Sequence, residues 1–128
     1  MKKIVSIGGR VKKIEQKMLN AIKENRCWKQ GNTQVRCIGC IKSYDMIFIE
    51  IELYGSLIAV GKKNPATGET RVAVVPQALH ARRYRTATTA SRLRALGFAV
   101  IRSKDGSMLV NGQNMCFAKD LDISKYWG

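Results

Sequence analysis

Met46-Ile47-Phe48-Ile49-Glu50-Ile51-Glu52-Leu53-Tyr54-Gly55-Ser56-Leu57-Ile58-Ala59 decides how this chain folds. Ile47, Ile49, Ile51 and Leu53 occupy alternate positions, and Met46, Phe48, Glu50 and Glu52 occupy those between. Successive residues of a strand point to opposite faces, so the aliphatic set must face a core and the mixed set must face outward. Tyr54-Gly55-Ser56 is a tight turn, and residues 57–61 form the next strand.

Working outward, Gln30-Gly31-Asn32 is turn chemistry, and residues 33–38 make a short strand before the central one. Residues 62–68 contain Asn64-Pro65 and Thr67-Gly68 and read as a loop. A further strand, 70–75, is closed by Pro76. Consecutive strands with short links predict an antiparallel meander. Upstream, Val11, Ile14, Met18, Ala21 and Ile22 form one stripe of a 3.6-residue period, which predicts a helix over 10–26. Residues 77–84 read as a short helix or an ordered loop. The hydroxyls of 86–89 offer N-caps to a helix over 88–96, with Gly97 just past its end and Phe98 placed to pack back. Residues 98–102 and 108–111 form a hairpin around Ser103-Lys104-Asp105-Gly106.

These elements predict an α+β fold in one domain, 1–128: an antiparallel sheet of four or five strands with the helices 10–26 and 88–96 packed on one face. Residues 1–9 are expected to be a flexible lead, and 113–128 an irregular tail. The expected core joins Val11, Ile14, Met18, Ile22, Leu93 and Leu96 to Ile47, Ile49, Ile51, Leu53, Ile58, Val60, Val72 and Val74.

Charge points toward a partner. The 128 residues carry 23 Lys+Arg against 9 Asp+Glu, a net charge of +14. Nearly all of the excess sits in two segments. Residues 1–30 hold nine basic and two acidic side chains, and 78–104 hold seven basic and no acidic ones. Such a field attracts polyanions, so DNA or RNA is the expected partner, held through its phosphates. Arg82, Arg83 and Arg85 are the expected principal contacts, with Arg92 continuing the stripe and Tyr84 between them able to stack on a base. Lys12, Lys13 and Lys17, off the apolar stripe of the first helix, form the second set. The bland alternative for both sets is a solvated basic surface.

Other chemistry finds less support. Cys37-Ile38-Gly39-Cys40 is a C-x-x-C, and with Cys27 and Cys116 it supplies the four thiolates of a structural zinc. A second C-x-x-C is missing and His80 has no nearby partner, so separate thiols and no metal or other cofactor are expected. A single histidine with no acid to orient it, and no paired carboxylates beyond the strand residues Glu50 and Glu52, predict no enzyme. Ile7-Gly8-Gly9-Arg10 precedes a helix without the spacing of a P-loop and reads as a hinge. No apolar stretch nears the ~20 residues that span a bilayer, and the opening apolar run is too short for a secretory signal. A cytoplasmic protein with reduced cysteines and no membrane partner is expected.

Three stretches resemble a group of small, uncharacterised phage and prophage proteins: Trp28-Lys29-Gln30-Gly31-Asn32-Thr33-Gln34-Val35, Leu53-Tyr54-Gly55-Ser56-Leu57-Ile58-Ala59 and Thr86-Ala87-Thr88-Thr89-Ala90-Ser91-Arg92-Leu93-Arg94-Ala95-Leu96-Gly97. The group is marked by a Gly-Asn-Thr strand start and a Thr-Thr-x-Ser-Arg-Leu helix. The resemblance covers 11–97. It implies a phage-encoded origin and brings no catalytic residue, and the 62–71 loop and the chain after 98 depart from it. Three functions are expected, in this order: a nucleic-acid-binding accessory protein with little sequence preference; an inhibitor, such as an anti-CRISPR, whose basic face blocks an acidic or nucleic-acid-binding host protein; and a winged-helix regulator using 86–96 as its reading helix.

Overall fold

A computed structural model describes residues 12–40, 46–64 and 66–117. The expectations for residues 1–9, for Val11 and for the tail beyond 117 lie outside these. The sheet expected from the central stretch is present. Strands β1 (Trp28–Gln30), β2 (Thr33–Cys40), β3 (Met46–Leu53), β4 (Ser56–Lys63) and β5 (Thr70–Val74) pair antiparallel in sequence order. A second, three-stranded sheet follows: β6 (Val100–Arg102), β7 (Met108–Val110) and β8 (Gln113–Asn114), where the sequence suggested a hairpin and an irregular tail. The helices are α1 (Lys13–Lys23), α2 (Pro76–His80) and α3 (Ala87–Ala95), with short 3₁₀ turns η1 (Arg82–Tyr84) and η2 (Met115–Phe117).

Register explains the core. Val35, Ile51, Ala59 and Val74 lie side by side across four strands, and all are fully buried. Between β3 and β4 the register slips: Ile51 faces Ala59 while Glu52 faces Leu57, leaving Ile58 as the extra residue of a bulge. Ile58 and Ala59 are therefore both buried. The slip sets Val60 opposite Glu50, and Val60, partly buried, still packs against the core as expected. Next to Ala59 on the inner face, Gly61 lies opposite Ile49. A Cβ there would meet the Arg71 carbonyl oxygen at 3.1 Å, so the close approach of β5 favours glycine.

Helix α1 buries Met18, Ala21 and Ile22 against β1 and β2, as its stripe predicts. It is shorter than expected because the chain turns at Asn25, whose φ of 58° is left-handed. Lys63, at the end of β4 and almost buried, caps it by donating from Nζ to the carbonyls of Ile22 (3.2 Å) and Lys23 (2.8 Å). The charge suits the negative end of the helix. Helix α3 starts on Thr86, whose Oγ1 accepts from the Thr89 amide at 3.2 Å. It ends in a Schellman motif: Gly97 at φ 104° donates to the Arg94 carbonyl and Phe98 to that of Leu93. Phe98 then folds back into the core. The same core takes in Leu79, Met108, Val110 and Met115, so one apolar cluster joins both sheets and all three helices.

Candidate functional site

Short local structure places the basic segment. Pro76 opens α2, its fixed φ suiting a first helical turn. The chain then extends at Ala81 and turns through η1. Arg82 and Arg83 are exposed, whereas Tyr84 and Arg85 are half-buried. The Arg83 guanidinium lies over the Tyr84 ring, 5.1 Å from its centroid, and Tyr84 packs against the core.

Arg85 turns inward onto the backbone. Its Nε donates to the Gly106 carbonyl at 2.9 Å, and its Nη1 donates to the carbonyls of Leu79 (3.3 Å) and His80 (2.5 Å). It thus staples the end of α2 to the β6–β7 turn, 21 residues away. The turn is itself well bonded. The Gly106 amide donates to the Ser103 carbonyl (3.1 Å), Ser103 and Ser107 pair at 2.9 Å, and Asp105 Oδ1 accepts from the Ser107 amide (2.9 Å). Those Ser107 bonds hold the Asp105 carboxyl below the usual carboxylate range.

The staple creates an open groove of about 440 Å³ lined by Arg82, Arg85, Arg102, Ser103, Lys104 and Gly106. Arg82 lies over Gly106, so a Cβ at 106 would sit 3.7 Å from its Nε. Every ionisable side chain of the lining is a cation, and the nearest acid in sequence, Asp105, is engaged by its own turn. Arg102 and Lys104 were absent from the expected contact set. The absence of any acid over 78–104 was the signal that could have included them.

The other expected residues lie elsewhere. Arg92 is a correction, being 5% exposed and bonded inside the protein. Its Nη1 pairs with Glu15 Oε2 at 2.8 Å and its Nε donates to Thr33 Oγ1 at 3.0 Å. Glu15 also accepts from Ser91 Oγ and, at 3.0 Å, from the Lys12 amide. Arg94 donates to the Val100 carbonyl through Nε and Nη2. With Arg92 inside, Arg94 bonded and five of its nine residues buried, α3 is a packing helix and not a free reading helix. Lys12, at the N-cap of α1, and Lys13 and Lys17 within it are exposed, with Lys17 donating to Gln30 at 3.2 Å, and none of them lines the groove.

The cysteines divide similarly. Cys37 and Cys40 both fall within the backbone span of β2, not in a turn such as a chelating C-x-x-C uses. Cys27 Sγ lies 3.8 Å from the Cys37 carbonyl oxygen. Burial first, and the neighbouring Cys27 second, push the Cys37 thiol above its ordinary value. Among the described residues no three His, Cys, Asp or Glu side chains are grouped to hold a metal ion. No described helix is long and apolar enough to cross a membrane.

The structure defines a basic α+β protein with a cationic groove between a 3₁₀ turn and a hairpin tip. A family model described as Kyanoviridae Gp96 protein matches residues 11–127, and the chain belongs to that family. The family is one of phage proteins, so the origin implied by the sequence resemblance stands, and the match runs on past residue 97 through the hairpin. No curated protein and no solved structure matches the chain.

Proposed function

We propose that this phage protein is a non-catalytic nucleic-acid-binding accessory protein that holds the phosphate backbone in the groove of Arg82, Arg102 and Lys104. The observation that carries the reading is the groove's composition: its free-standing cations converge across a turn that Arg85 fixes in place. Guanidinium forks match phosphate oxygens, and a pre-fixed groove spends little conformational entropy on binding. Arg83, steered over Tyr84, adds charge at the rim. Phosphate contact carries little sequence information, so weak sequence preference is expected.

Salt dependence tests this. Binding of a fluorescent oligonucleotide should weaken linearly with log salt, and Arg82→Ala/Arg102→Ala/Lys104→Ala should lower the slope by about 2 to 3 for a duplex. The corresponding alanine variant of Lys12, Lys13 and Lys17 should change the slope less. A wild-type chain that ignores DNA and RNA at low salt, or a groove variant with an unaltered slope, overturns the reading.

A further inference from the structure

The make-up of the groove between η1 and the β6–β7 turn distinguishes one kind of phosphate from another. Arg82, Arg102 and Lys104 are exposed, and among the described residues no hydrogen bond or ion pair occupies their charged groups. Arg85, Arg92 and Arg94 differ, since their guanidinium groups are bonded to the protein itself. Three cations lining one space of about 440 Å³ repel one another, and the lining holds no acid to offset them. The Arg85 bonds to Gly106, Leu79 and His80 keep the two turns together despite that repulsion.

The ligand that relieves such repulsion best brings the most negative charge in the least volume. An internal phosphodiester carries one negative charge. A phosphate monoester carries about −1.5 to −2 near pH 7 and offers three acceptor oxygens. Three oxygens suit three separate cations, with the Ser103 hydroxyl beside them.

The groove is also a spot and not a track. Its lining comes from residues 82–85 and 102–106 alone. Arg102 and Lys104 are two residues apart, at most about 7 Å of chain. Arg82 lies over the same turn, its Nε 3.7 Å from where a Cβ on Gly106 would stand. A strand backbone spreads its charges along its axis, one per about 3.4 Å, and is met best by cations strung out to match. The lining includes no aromatic and no large apolar side chain, so a base finds nothing to stack on.

We propose that the groove seats a phosphate monoester, the group that ends a nucleic-acid strand or a free nucleotide, in preference to an internal diester. The proposal rests on the nucleic-acid reading of the groove and names the part of the ligand that the groove selects. Arg82, Arg102 and Lys104 hold the monoester oxygens, and Arg85 positions the two turns that carry them.

The test compares two fluorescent single strands of one sequence, ending in a 5′-phosphate or a 5′-hydroxyl, at moderate salt. An exposed ion pair is worth up to a few-fold in affinity, and three cations share the added charge. Wild type should therefore bind the phosphorylated strand roughly tenfold more tightly. Arg102→Ala/Lys104→Ala should erase the preference, and Lys13→Ala/Lys17→Ala should keep it. Both strands are read on one protein sample, so a loss of folded protein cancels in their ratio. Competition with free thymidine 5′-monophosphate separates the two sources. Displacement at the affinity of the phosphorylated strand makes a free nucleotide the ligand, and displacement only at far higher concentration makes it the strand end. Equal affinity for the two strands, or a preference that survives Arg102→Ala/Lys104→Ala, overturns the inference. The groove reading still stands in that case if the groove variants weaken both strands alike. A wild type that binds neither strand nor the nucleotide at low salt defeats the groove reading and this inference together.

Discussion

Removing the Glu15 carboxylate should unfold much of what holds α1 to α3. The Glu15 and Arg92 side chains are 2% and 6% exposed, and their oxygen and nitrogen lie 2.8 Å apart. Glu15→Ala leaves the Arg92 guanidinium buried with, among the described residues, Thr33 as its remaining partner and strips Ser91 and the Lys12 amide of their acceptor. Breaking one side of such a pair costs about 3–5 kcal/mol, a large share of the 5–15 kcal/mol that keeps a domain folded. With a urea slope of about 2 kcal/mol/M, the midpoint should fall by roughly 2 M, as followed by far-ultraviolet circular dichroism. The pair itself is a different quantity, because its attraction is largely offset by desolvation of both ions. Glu15→Met/Arg92→Met should therefore cost less than about 2 kcal/mol. Thr33 keeps its contact with Asn32 Oδ1 at 2.8 Å in that variant. A single variant that loses under about 1 kcal/mol, or a double variant as damaged as the two singles combined, would refute the reasoning.

Other outcomes follow from the same contacts. Gly61→Ala should destabilise by about 1–3 kcal/mol in urea melts, because the Arg71 carbonyl 3.1 Å away is backbone and yields little. Lys63→Met should cost about 2 kcal/mol, since the carbonyls of Ile22 and Lys23 lose a charged donor, and amide exchange should quicken in the last turn of α1. At pH 8 an alkylating reagent should label exposed Cys27 well before Cys37, whose thiol pKa is raised by burial; comparable early labelling of the two, read by mass spectrometry, would refute this.

The sheet was legible because its information is local. The alternation of Ile47, Ile49, Ile51 and Leu53 fixes one face, and Gly55 and Gly97 mark the turns that bound their elements. Register slips are another matter. The bulge at Ile58 depends on how β4 meets β3, and alternation alone does not reveal it. Charge was legible in sum and not by residue. Arg82, Arg85, Arg92 and Arg94 look alike in sequence, yet three of them are engaged by carbonyls or a carboxylate of neighbouring elements, some near in sequence and some far. Glu15 offered a clue, as a carboxylate bordering the apolar stripe of α1 needs a buried partner. Nothing local could place Lys104 beside Arg82, because that meeting is made by the Arg85 staple across 21 residues.

The sequential strand order also leaves β1 and β5 as outermost members among the described residues. Unsatisfied amides and carbonyls along such margins invite neighbouring molecules to add on and build fibrils. Here one margin is three residues long and carries Lys29, while the other is five residues long, bears Arg71 near its start and soon meets Pro76. The chain is thereby guarded against polymerising on itself, and its net charge of +14 adds a repulsion between copies.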